Sequence, residues 1–380
     1  MRPAPLPPGP RSSYPFEVFF RFRKDATGFL RDCADYGDLV AFSLGQQDFV
    51  LVNHPDTIRD LLVTHQKSFQ KGRALERARM MLGNGLLTSE GDFHLRQRRL
   101  AQPAFHRERI AHYAEAMTEY AERANGALRD GDEVDAHQLM MALTLGIVAK
   151  TLFDADVDHE AQEIGAALSD VFEGFSLAML PFTEYLQWLP VPAMRKFRRG
   201  RKRLDQTIYR IIAERRRDGG DRGDLLSMLM ASSDEESDGT GMTDEQLRDE
   251  VMTIFLAGHE TTANALTWAW YLLARNPLIE AKLHAEVDAL GHAPTVEDYP
   301  RLDYTRRVVM ETMRLYPPAY AIGRRSIEPY EVGGYHLPAR TIFLCSPYVQ
   351  HRDPRWFPEP DKFDPDRWLP DEAAKRPKFS

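Results

Sequence analysis

A mainly α fold with a small β-sheet is predicted by three features of the 380-residue sequence. Apolar residues recur at helical spacing along most of the chain, short β-branched and aromatic runs lie toward its two ends, and Gly or Pro punctuates the junctions. With 43% hydrophobic and 28% charged residues the chain can bury a large core, and a single domain over 1–380 is expected.

The elements follow in order. "GDLVAFSLGQQDFVLVNH" gives two β-rich runs around Gly45 to Asp48, a hairpin signature. Asn53 is a candidate cap for the next helix, with Pro55 in its first turn and Ile58, Leu61 and Leu62 on one face. Phe93 to Asp130 reads as helix broken near Pro103, and helical runs continue over Met140–Phe153 and Ala161–Leu180. "RKFRRGRKRLDQTIYRIIAERRRDGGDRGD" is a basic helix ending at Gly219 and Gly220, and "ASSDEESDGTGMTDE" is an acidic loop; both read as solvated surface.

"TDEQ" at Thr243 is a capping-box pattern, and Leu247, Val251, Ile254, Phe255, Gly258, Thr262 and Leu266 continue one long helix to about Ala274. Asn276 and Pro277 open another, closed by Gly291, and "LDYTRRVVMETMRLYPP" makes one more, stopped by Pro317 and Pro318. "YEVGGYHLPARTIFLCSPYVQ" returns to strand, with Gly333 and Gly334 as a hairpin turn. A Pro-rich coil through "FDPDRW" follows.

A formal charge of -8 argues against nucleic acid as the main partner. Two cysteines, Cys33 and Cys345, exclude a disulfide framework and a Cys-rich zinc site. The N-terminal stretch mixes Pro, Phe, Arg and Glu and has neither a signal-peptide core nor a membrane span, so a cytoplasmic protein is expected.

The chemistry concentrates in "FLAGHETTANAL", residues 255–266. A helix-interior glycine costs about 1 kcal/mol relative to Ala, and Gly258 would let a flat ligand approach the backbone. The Thr261 hydroxyl can bond the carbonyl of Ala257 and locally open the helix ladder, and Glu260 is an acid able to feed protons there. The plainer reading is a helix that packs closely at Gly258 with back-bonded threonines. A zinc-protease motif is excluded, because the position four residues after His259 is Ala263. In "ETMR", Glu311 and Arg314 share a helix face among Val308, Val309, Met310, Met313 and Leu315; a buried pair there needs more partners, and Arg367 is a candidate third member.

Taken in order, these segments resemble the cytochrome P-450 family of haem-thiolate monooxygenases over essentially the whole chain. "AGHETT" is similar to the family's oxygen-binding helix motif, "ETMR" to its Glu-x-x-Arg and "FDPDRW" to its Phe-x-Pro-x-Arg segment. The resemblance implies haem b, with Ala257 and Gly258 over its distal face, Thr261 and Glu260 as the catalytic proton-delivery pair, and Glu311, Arg314 and Arg367 as a structural triad. "HLRQRRLAQPAF" resembles the family's propionate-binding helix, which would make His94 and Arg98 cofactor-binding; Arg324 matches the further propionate arginine, with Arg325 as its rival. Arg96 and Arg99, if exposed, would suit an acidic electron donor. The implied substrates are O2 and an apolar small molecule, and no Gly-x-Gly-x-x-Gly fingerprint is present, so electrons would come from NAD(P)H through a ferredoxin or flavoprotein reductase.

The family's ligand loop, Phe-x-x-Gly-x-Arg-x-Cys-x-Gly, does not occur in these residues, and Cys33 and Cys345 read as packing residues. The fold is therefore expected to be a C-terminally truncated cytochrome P-450 fold, inactive as it stands because the thiolate that favours O–O cleavage is missing. The alternative is a haem-free relative that binds apolar ligands without catalysis. Phe172, Phe175, Leu177 and Leu180 are candidate pocket residues whose stripe reads equally as core.

Overall fold

A computed structural model describes residues 6–12, 14, 16–45, 47–154, 167, 171, 192–234 and 239–380. The candidate pocket residues Phe172, Phe175, Leu177 and Leu180, and most of the helix expected over 161–180, lie outside the described residues. The chain forms two compact units: Met1–Glu76, Tyr271–Leu283 and Asp303–Ser380 make unit 1, and Arg77–Trp270 with His284–Leu302 makes unit 2.

Unit 1 carries the sheets. Helices α1 (Glu17–Lys24) and α2 (Ala26–Ala34) precede the hairpin β1 (Leu39–Leu44) and β2 (Gln47–Val52). Leu39 pairs with Val52 and Leu44 with Gln47 across a turn in which Gly45 has φ +68°, as the sequence predicts. Helix α3 (Pro55–Arg59) starts with Pro55 at N1, but His54 is its cap, accepting from the Asp56 N–H. Asn53 instead donates its side-chain amide to the Gly37 carbonyl, so the expected cap is displaced by one residue. The short strand β3 (Phe69–Lys71) follows.

The chain continues through α4 (Arg73–Leu82), α5 (Gly91–Ala101), α6 (Arg107–Gly126), α7 (Ala136–Phe153), α8 (Pro192–Asp218), α9 (Leu225–Ala231), α10 (Asp244–Ala274) and α11 (Pro277–Asp288). Unit 1 then closes with α12 (Asp303–Leu315), β4 (Ile322–Ser326), the hairpin β5 (Tyr330–Val332) and β6 (Tyr335–Leu337), and β7 (Ile342–Cys345). The five-stranded sheet has the order β1-β2-β7-β4-β3, with β2 and β7 parallel and the other pairs antiparallel; β5 and β6 stand apart as a second sheet. Strand β7 is buried along its whole length, as a central strand should be. Val40, Phe42 and Leu51 pack with Phe29, Leu30 and Cys33 of α2 on one side, while Val50, Val52, Phe343 and Cys345 pack with Ile58, Leu61 and Phe69 on the other.

Unit 2 is helical. Leu247, Val251, Met252, Phe255 and Leu256 of α10 join Leu100, Leu152, Phe153, Leu204, Ile208, Ile212 and Leu226 in one core. The capping box predicted at "TDEQ" is formed: the Gln246 N–H donates to the Thr243 hydroxyl and the Thr243 N–H to the Gln246 side chain. By length and composition α7 is apolar enough to cross a bilayer. Met140, Ala149, Leu152 and Phe153 on it are buried, and the absence of a side chain at Gly146 admits the Tyr120 ring of α6, where a Cβ would stand 2.6 Å from it.

Candidate functional site

Helix α10 buries most of its middle, Val251 to Leu256 and again His259 and Ala263, because these positions face the unit 2 core. Ala257, Thr261 and Thr262 break that pattern and are exposed. Ala257 and Thr261 are one helical turn apart, so they form a stripe of small side chains with Gly258 beside it. A Cβ on Gly258 would meet Val148 Cγ2 at 3.1 Å, so the glycine also lets α7 approach. The close-packing reading of "AGHETT" is thus met at Gly258.

The Thr261 hydroxyl donates to the Ala257 carbonyl at 2.5 Å. The local opening of the ladder expected there is not seen: α10 is continuous helix from Asp244 to Ala274, because the hydroxyl bonds the carbonyl in addition to the helix pattern. Its oxygen keeps two acceptor lone pairs. Glu260 is half-buried, and burial raises its carboxyl above the usual range, opposed by the charge of His137. No hydrogen bond joins Glu260 to Thr261 among the described residues, so the two are neighbours in sequence rather than a bonded dyad. His259 faces inward, with Nε2 3.1 Å from the Met141 carbonyl and Nδ1 buried without a partner; burial lowers its pKa.

Helix α5 brings His94 and Arg98 to one face, one turn apart. His94 is half-buried with Nδ1 3.3 Å from the Ser89 hydroxyl, while Arg98 is exposed and has no polar partner among the described residues. The placement of α5 rests on a buried network that sequence reasoning missed. Gln97 donates to Glu250 at 3.0 Å, and the other Glu250 oxygen accepts the Leu86 N–H. The adjacent Asp249 accepts the Asn84 N–H at 2.6 Å and pairs with Arg248. Two consecutive acids within the buried run Leu247–Leu256 were the available signal.

Arg96 and Arg99 are not free for an outside acid. Arg96 donates to the Thr240 and Gly241 carbonyls, and Arg99 forks onto the buried Asp234 carboxylate at 2.8 and 3.1 Å. Both fasten the acidic loop to α5, which corrects their expected role toward an electron donor.

In unit 1 the Glu311–Arg314 pair is fully buried and bidentate, both bonds 2.8 Å. Arg314 also donates to the carbonyls of His351, Pro360 and Lys362, so all five of its N–H groups are satisfied. Glu311 in turn accepts the Asp364 N–H and the Trp368 indole N–H, each at 3.0 Å. Arg367 is the third member by charge, 3.4 Å from Glu311, but its Nε makes no hydrogen bond and its fork goes to the Glu359 carbonyl. Arg324 and Arg325 alternate across β4: Arg325 pairs with Glu76 at 2.9 Å, whereas among the described residues Arg324 reaches just its neighbour's carbonyl at Gly323. Arg324 is therefore the guanidinium left available.

Within unit 2, the small-residue stripe of α10 and Arg98 have the chemistry for a flat ligand with an acidic edge; within unit 1, Arg324 has the chemistry for a carboxylate. A sulfur ligand does not fit. Cys33 and Cys345 are buried, and burial pushes each thiol up to about 12, so neither is a thiolate.

Comparison with known proteins matches residues 7–380 to the family model described as Cytochrome P450. The chain is 47% identical over 351 residues to cyclooctatin synthase of Streptomyces melanosporofaciens, covering 91% of this chain and 76% of the relative. It is 39% identical to that organism's cyclooctat-9-en-7-ol 5-monooxygenase, and 37% identical to pentalenene oxygenase of Streptomyces avermitilis. Those alignments cover 91% of this chain and 76% and 77% of the relatives. Among solved structures, the cytochrome P450DA heme domain superposes with TM-score 0.88 at 26% identity, covering 100% of this chain and 85% of that one. Retinoic acid bound cyanobacterial CYP120A1 does so with TM-score 0.85 at 24% identity, covering 99% and 85%.

Proposed function

The chain belongs to the cytochrome P450 family of haem monooxygenases, and we propose that its substrate is a ring-containing, largely hydrocarbon molecule into which one atom of O2 is inserted. The observation that carries the reading is the pair Ala257 and Thr261, small and exposed beside half-buried Gly258 and next to the mostly buried stretch Val251–Leu256 of the helix. The substrate class follows from the relatives, whose names specify an alkenol and an alkene.

Haem, when bound, would supply dioxygen activation. The chain's own residues supply the rest. In unit 2, Ala257 and Gly258 would present no bulk to a macrocycle's face, and Arg98 and His94 would hold propionates as charge-assisted donors; in unit 1, Arg324 would be a further carboxylate donor. The Thr261 hydroxyl hands on a proton at its Oγ1, accepting another in exchange, and Glu260 replenishes it through solvent because its raised pKa keeps it protonated further toward neutrality. Glu311 and Arg314 organise the 351–368 segment and do not touch substrate. Electrons arrive from NAD(P)H through a ferredoxin or flavoprotein reductase, and two unpaired, buried cysteines fit a cytoplasmic setting.

Neither Cys33 nor Cys345 is placed to be the haem's sulfur ligand, since both are buried and burial raises each thiol to about 12. The reduced carbon monoxide complex of the haem-loaded chain tests this: it should lack the thiolate-type Soret band, and its spectrum should be unchanged in Cys33→Ser/Cys345→Ser. A thiolate band lost in that double variant would overturn the assignment. For the reaction, the gene's product supplied with a redox chain, a cyclic alkene and labelled O2 should yield a product carrying a single labelled oxygen. Label arriving from water instead would defeat the monooxygenase reading.

A further inference from the structure

Helix α8 has eleven Lys and Arg against three Asp and Glu, a formal charge of +8, in a chain whose total is -8. Its inner face is core: Met194, Phe197, Leu204, Ile208, Ile211 and Ile212 are buried. Its outer face is cationic. Arg195, Arg199, Lys202, Arg203 and Arg217 are exposed, recur at helical spacing, and have no ion partner among the described residues. The two acids within the helix body lie to the sides and are engaged there, Asp205 with Arg201 and Arg248, and Glu214 with Arg210. Four of them lie within Arg195–Arg203, about 12 Å of helix, and Arg217 follows about 21 Å further along the same face.

We propose that this stripe docks the protein on an anionic phospholipid bilayer. Like charges held in one row repel, and none of these five has an ion partner among the described residues, so the arrangement gains free energy against a negatively charged surface. Tyr209, 41% exposed on the same outer arc, is an amphipathic ring of the kind found at headgroup level. No aliphatic side chain accompanies it on that arc, so the attachment is peripheral and electrostatic rather than inserted. The choice of a bilayer over an acidic protein rests on the apolar-substrate reading above, since such a substrate partitions into lipid.

Co-sedimentation of the 380-residue chain with vesicles tests the proposal without haem, O2 or substrate, so its outcome is separate from that of the oxidation assay. The chain should pellet with phosphatidylcholine vesicles containing phosphatidylglycerol at low salt, stay in solution with pure phosphatidylcholine, and be released by high salt. At about fivefold per cation, replacing Arg195, Arg199, Lys202 and Arg203 with Gln should weaken partition by on the order of a hundredfold or more, with an unchanged circular dichroism spectrum. Replacing four exposed cations elsewhere, Lys67, Arg107, Arg129 and Lys378, should leave most of the binding intact. Failure of the native chain to pellet with anionic vesicles, or an equal loss in the two quadruple variants, overturns the proposal. So does a chain that ignores vesicles yet forms a stripe-dependent complex with an acidic redox protein.

Discussion

At Arg314 every N–H has a partner, and two of the five bonds go to one carboxylate. Glu311→Ala strands that guanidinium in the interior and should destabilise unit 1 by about 3–5 kcal/mol. Arg367→Ala removes a charge at 3.4 Å with no hydrogen bond and a single carbonyl contact, so about 1–2 kcal/mol is expected. Urea midpoints of the two variants decide it, and an Arg367 loss as large as that of Glu311 would contradict the geometry. The Glu311–Arg314 pair was legible in "ETMR" because three-residue spacing and apolar neighbours both survive in sequence. Its other partners were not, since the carbonyls of His351, Pro360 and Lys362 carry no side-chain signature. Glu260 offers a second residue-scale test. Its pKa is raised in the folded state, so its contribution is complete at acid pH and is lost as pH rises through the folded value. Glu260→Gln should therefore raise the thermal midpoint above the ordinary carboxylate range and leave it unchanged at acid pH.

Among the elements, the turn leading into α5 depends on one conformation. Gly83 has φ +69°, and a Cβ there would stand 2.0 Å from the Asp249 carboxylate that holds the Asn84 N–H. Gly45 has nearly the same φ, +68°, with nothing within 4 Å of its Cβ position. Both Ala variants bear the left-handed backbone penalty of about 1–2 kcal/mol, and Gly83→Ala should lose clearly more. Equal midpoints would mean that Asp249 does not anchor the turn. Helix ends were readable wherever local chemistry sets them, as at the "TDEQ" box and at Gly219 and Gly291, which have φ +65° and +72°. Strands β3 and β4 were not individually readable, and neither was the parallel pairing of β2 with β7: three-residue β3 is too short to show a period, and the pairing joins residues about 290 positions apart.

For the molecule as a whole, acid sensitivity should come partly from His351. Burial and the nearby Arg314 charge push its imidazole down to about 4, while the unfolded chain titrates near 6.5. Its stabilising contribution is present above 6.5 and fades as pH falls toward 4, on the order of 3 kcal/mol in total. His351→Leu should flatten the slope of stability against pH in that window, and an unchanged slope would exclude it as the source. The account turns on the Ala257–Thr261 stripe as the surface that receives the haem face. A haem titration followed at the Soret band, comparing the native chain with Ala257→Trp and with Ala274→Trp on an exposed position of the same helix, addresses this most directly. Ala257→Trp should bind haem at least roughly tenfold more weakly, because an indole fills the approach to the backbone, and Ala274→Trp should bind like the native chain. Equal affinities in all three would contradict the assignment of the stripe.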